Sequence, residues 1–89
     1  MNKPIACDLY DYLEIACLFQ YQLEIVLKSG QRIRGVAVDT CTLPDKTEAL
    51  KVLVDGDNIF LPMHDLASVR VLSQGARFEF VDFTGAAGL

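Results

Sequence analysis

Residues 22–39 read QLEIVLKSGQRIRGVAVD, and the periodicity of this stretch decides the fold. Leu23, Ile25 and Leu27 alternate with Gln22, Glu24 and Lys28. That is the two-residue period of a strand with one face in a core. KSGQ (residues 28–31) turns the chain around Gly30, and RIRGVAVD (32–39) resumes the alternation with Ile33 and Ala37 facing in. Arg32 and Arg34 face outward beside Glu24, which suits cross-strand charge pairing. Gly35 interrupts the second strand, and an interior glycine marks a bend or bulge of the kind that turns a barrel corner.

The same punctuation continues downstream. TLPDKTE (42–48) is a polar loop and ALKVLV (49–54) a third strand. DGDN (55–58) is a strong hairpin signal, and IFL (59–61) is a short fourth strand ended by Pro62. MHDLA (63–67) predicts one helical turn, SVRVL (68–72) a fifth strand, SQGA a turn, and RFEFVDF (77–83) a sixth alternating strand. Upstream the period is 3.6. Residues 9–18 read as a helix capped by Asp8, with Leu9, Leu13, Ala16 and Cys17 on one face. Asp8, Asp11, Glu14 and Ile15 lie on the other, with Tyr10 and Tyr12 flanking. One helix followed by five or six short strands predicts a mainly β (α+β) domain. The expected form is a small, strongly bent antiparallel barrel of the Sm or SH3 type carrying one N-terminal helix.

Eighty-nine residues make one domain, expected to consist of a helix at about 8–18, a barrel at about 21–83 and a flexible tail, TGAAGL, at 84–89. The composition is 52% hydrophobic and 22% charged, enough to build a packed core. Twelve acidic against eight basic side chains give a net charge of −4. That balance argues against sequence-independent nucleic-acid binding, which relies on Lys and Arg to neutralise phosphates. It suits a soluble cytoplasmic protein, or one whose partner is basic. Asp8, Asp11 and Glu14 interrupt any signal-peptide core, and no apolar run approaches the ~20 residues of a membrane span.

Catalytic signatures are absent: no phosphate loop, no HExxH, no nucleophile elbow, no CxxC. His64 stands beside Asp65 without a nucleophile nearby in sequence and reads as a surface residue of a one-turn helix. Cys7, Cys17, Cys41 and His64 lack the close ligand pairs of a structural zinc site. Along a helix, Cys7 and Cys17 would lie about 15 Å apart, beyond the ~7 Å reach of a disulfide. Cys17 reads as a small buried apolar residue. No metal, cofactor or enzymatic activity is expected.

The acidic helix has two readings. The first is a solvated face whose carboxylates favour the helix N-terminus. The second is a docking face for a cationic groove. Ile15 stands among the acids, and no Lys or Arg follows any of them at i+3 or i+4; both details belong to the second reading.

PIACDLYDYLEIAC (4–17) followed by YQLEIVLKSGQRIRGVAVD (21–39) resembles the Rho-binding antiterminator family, the Rof-type inhibitors of the transcription terminator Rho. Cys7, Asp8, Tyr10, Asp11, Leu13, Glu14, Ala16 and Cys17 fill the family's first motif, and Lys28, Gly30 and Asp39 its second. The likeness runs from about Pro4 to Val81. It implies an N-terminal helix on an Sm-like barrel and a protein that binds the N-terminal RNA-binding domain of hexameric Rho, blocks RNA loading and suppresses termination. Carried over residue by residue, it implies that Asp8, Asp11 and Glu14 contact basic residues of Rho, with Tyr12 beside them and Lys46 as a further contact. Leu9 and Tyr12 depart from the pattern, the loop at 42–48 is one residue longer, and the tail is extra. Direct DNA, RNA or membrane binding is not expected under this reading. The alternative is an Sm-like RNA-binding riboregulatory module.

Overall fold

The computed structural model describes the backbone of residues 7–84 and the side chains of residues 10–84. The predicted tail beyond Thr84 lies outside the described residues. Helix α1 (Cys7–Leu18) is followed by β1 (Gln22–Leu27), β2 (Arg32–Thr42), β3 (Glu48–Val54) and β4 (Asp57–Pro62). A one-turn 3-10 helix (Met63–Asp65), β5 (Leu66–Val71) and β6 (Phe80–Asp82) complete the elements of the described residues. All pairings are antiparallel, in the order β4-β3-β2-β1-β5-β6. The expected mainly β fold with one N-terminal helix is what the chain adopts.

Strand β2 serves two partners. Its first half pairs with β1, and from Val36 onward it pairs with β3. Gly35 stands just before the changeover, where β3 comes closest: a Cβ there would meet Val52 Cγ1 at 2.5 Å and the Leu53 carbonyl oxygen at 2.6 Å. Of the bend or bulge that Gly35 suggested, the bulge lies at Val38, between the Ala37–Val52 and Asp39–Lys51 pairs. The Asp55–Gly56 turn has φ of 51° and 86°, the double left-handed geometry of a type I′ hairpin.

The inner face and the helix enclose one core built around Leu13, Leu23, Ile25, Leu50, Val52, Leu66 and Val69. Across the outer face runs a ladder of register partners: Arg34 opposite Glu24, Glu24 opposite Arg70, Arg70 opposite Phe80. Arg34 pairs with Glu24 at 3.2 Å, as expected, and the Arg70 guanidinium lies 4.9 Å from the Phe80 ring centre.

Several boundaries move. The helix begins at Cys7, so Asp8 lies inside the first turn and is not the N-cap. The helical turn keeps only Met63–Asp65, because Leu66 and Ala67 join β5. The sixth strand shrinks to Phe80–Asp82, since Phe78 turns into an aromatic cluster with Tyr12 and Tyr21.

Candidate interaction face on helix α1

Helix α1 packs chiefly on β2. Leu13 and Ala16 are fully buried, and Cys17 is half-buried. Ile15, expected among the acids, is half-buried against the core edge. The helix closes with a Schellman turn: Gln20 N–H donates to the Cys17 carbonyl (3.2 Å) and Tyr21 N–H to that of Ala16 (2.9 Å). Gln20 takes the left-handed conformation at φ 51° that glycine usually supplies. This turn drives Tyr21 into the core and leaves Leu18 and Phe19 outside, 75% and 46% exposed.

Asp11 and Glu14 point outward and are exposed. Among the described residues no cation pairs with either, and the last helical turn carries no basic residue. The side chain of Asp8 lies outside the described residues. Tyr12 is 36% exposed, its ring 5.0 Å from that of Phe78. Lys46 is exposed in the β2–β3 loop at φ 71°, its N–H donating to the Leu43 carbonyl at 2.8 Å. Asp45, beside it, has its acidity strengthened by hydrogen bonds from the Thr47 side chain and backbone. The loop is tied to the helix through Glu48, whose carboxylate accepts Tyr10 Oη and Thr42 Oγ1, each at 3.1 Å. Lys46 therefore sits on a loop fastened to the Tyr10 flank of α1, while Tyr12 marks the opposite flank.

Sequence reasoning missed the wall on the β2 side. Glu14, Cys17, Leu18, Val38, Asp39 and Thr40 line an open cleft of about 440 Å³ between helix and strand. The Val38 bulge is the local irregularity that re-aims this part of β2. Burial, followed by the charges of Asp39 and Glu14, pushes the Cys17 thiol up to about 12, so it stays protonated and unreactive. A signal was present for Leu18: it continues the i, i+3, i+7 stripe begun by Asp11 and Glu14.

His64 Nε2 lies 3.5 Å from Asp65 Oδ1, both exposed. Among the described residues no group of three or more His, Cys, Asp or Glu is placed to hold a metal, and no helix is long and apolar enough to cross a membrane. The arrangement leaves the carboxylates of Asp11 and Glu14 and the apolar side chains of Leu18 and Phe19 exposed.

Residues 4–83 match the family model described as modulator of Rho-dependent transcription termination (ROF). Protein rof of Escherichia coli (strain K12) and that of Shigella flexneri are each 43% identical to the chain over 37 residues. Each match covers 42% of this chain and 44% of the relative, so it spans less than half the length of these curated proteins. A solved structure titled YaeO bound to magnesium, from Vibrio cholerae O395, superposes with a TM-score of 0.78 at 34% identity, covering 83% of this chain and 96% of that one. With the family model spanning nearly the whole chain, this protein belongs to the family of modulators of Rho-dependent transcription termination.

Proposed function

We propose that this protein inhibits Rho-dependent termination in the cytoplasm, docking the acidic face of α1 on the N-terminal RNA-binding domain of Rho and so blocking RNA loading. The observation that carries the reading is the pair Asp11 and Glu14, exposed on one helical face without a cation among the described residues. An RNA-binding groove must be cationic to hold phosphates, and an acidic face is steered to it and competes for it. Asp8, one helical turn before Asp11 in sequence, belongs to the same proposed contact set, Tyr12 contacts Rho from one flank, and Lys46 meets it from the loop on the other.

Three of the seven described Lys and Arg side chains are already engaged, which supports this assignment over direct RNA binding: Arg34 is paired with Glu24, while Arg70 and Arg77 lie over Phe80 and Phe19. Replacing Asp11→Lys and Glu14→Lys together abolishes Rho binding and relief of termination in an in vitro transcription assay, with the thermal unfolding midpoint unchanged. Full inhibition by the double variant would refute the reading. Tight, salt-sensitive binding of the isolated protein to single-stranded RNA would favour the riboregulatory alternative.

A further inference from the structure

We infer that the docking face has a second component: Leu18 and Phe19 form an apolar anchor that enters the base-stacking part of the partner's RNA-binding surface. This rests on the reading of the protein as a Rho inhibitor.

At about 100° per residue, Leu18 falls between Asp11 and Glu14 around the helix. The most outward direction of α1 therefore holds a leucine flanked by two carboxylates, and that leucine is 75% exposed. Single exposed apolar residues are ordinary. Here a second, Phe19, follows directly, and its ring is fixed in place. Phe19 stacks on Tyr21 at 5.6 Å with 17° between the planes, and the Arg77 guanidinium covers it at 5.1 Å. Tyr21 is itself held, its Oη accepting the Arg77 N–H at 2.9 Å. A ring ordered before binding loses little freedom on docking, the property of an interface anchor.

The chemistry of the occupant follows from the pairing. Surfaces that bind single-stranded nucleic acid combine a cationic track for phosphates with apolar or aromatic platforms for bases. Asp11 and Glu14 match the first, and Leu18 and Phe19 match the second, so the helix presents both parts side by side. A second copy of this chain is a poorer occupant, because a two-fold contact would set the acidic faces of the two copies against each other.

The test uses the full chain and intact Rho, with affinity and dissociation rate measured at low and high salt. Leu18→Gln and Phe19→Ala each weaken binding about tenfold or more, through faster dissociation and with an unchanged salt slope. Asp11→Asn with Glu14→Gln flattens the slope instead. Leu18 is so exposed that its substitution leaves folding intact, which thermal unfolding checks, so Leu18→Gln decides if Phe19→Ala loosens the fold. If the wild type binds Rho and Leu18→Gln binds within twofold of it, the anchor is overturned while the Rho reading stands. If the wild type does not bind Rho, that reading falls and the anchor with it. Self-association of the wild type that Leu18→Gln abolishes would reassign the face to a second copy and overturn the proposal.

Discussion

Cys17 joins the helix to the groove beneath it. Burial raises its thiol to about 12, and the charges of Asp39 and Glu14 add to the effect. A folded-state value above the ordinary one means that the native protein binds this proton more tightly than the unfolded chain does. The resulting stability is complete below about pH 9 and is lost as pH rises through about 12. The urea midpoint of the wild type therefore falls above pH 9 more steeply than that of Cys17→Ala, whose loss reflects only the other alkaline groups. Parallel curves for the two proteins would show that the thiol is not held this way. The sequence made Cys17 legible as a small apolar residue with Glu14 three residues before it, but not its closeness to Asp39, which arises only because α1 packs on β2. Gly35 teaches the same lesson: the need for a glycine was visible, yet its cause, the approach of Val52 and Leu53, depends on a register that a single strand does not encode.

Among the elements, hairpins and alternation were legible because local periodicity and turn residues encode them. The end of the helix at Leu18 was legible as well, but the form of its cap was not. Its Schellman turn uses Gln20 where glycine would have announced it, and that turn sets Leu18 and Phe19 outside. The seven-residue alternation of RFEFVDF likewise suggested a full strand. Tertiary contacts claim its first part: Phe78 packs on Tyr12 and Tyr21, and only Phe80–Asp82 pairs as β6. Tyr21 secures this crossing through the bond from Arg77 N–H to its hydroxyl. Tyr21→Phe keeps the ring and removes the acceptor, so it destabilises the fold by about 1 kcal/mol. Amide exchange quickens locally around residues 74–79, while the protection of β3 and β4 is preserved. Uniform loss of protection across all strands would mean that the bond supports the whole core rather than this segment.

For the whole molecule, the arrangement of strands decides which surfaces remain open to partners. The sheet ends in β4 on one side and β6 on the other. β6 is only three residues long, yet it lies along the outer edge of β5, pairing Ser68 with Asp82, Val69 with Val81 and Arg70 with Phe80. An uncovered edge offers a row of unpaired N–H and C=O groups to another chain. The pairing places Val81 in the core and Phe80 over Arg70. Such a cover keeps edge-to-edge growth from competing with docking through α1 at the far side of the sequence. Truncation after Glu79 therefore exposes β5. The shortened chain keeps its β-type circular dichroism but shows a mass by light scattering that rises with concentration more steeply than that of the full chain. Substituting Phe80→Ala alone leaves the backbone cover in place, so its mass tracks the wild type. A truncated chain whose mass stays flat over the same range would show that β5 is protected by its own side chains, Arg70 foremost, and not by the strand laid against it.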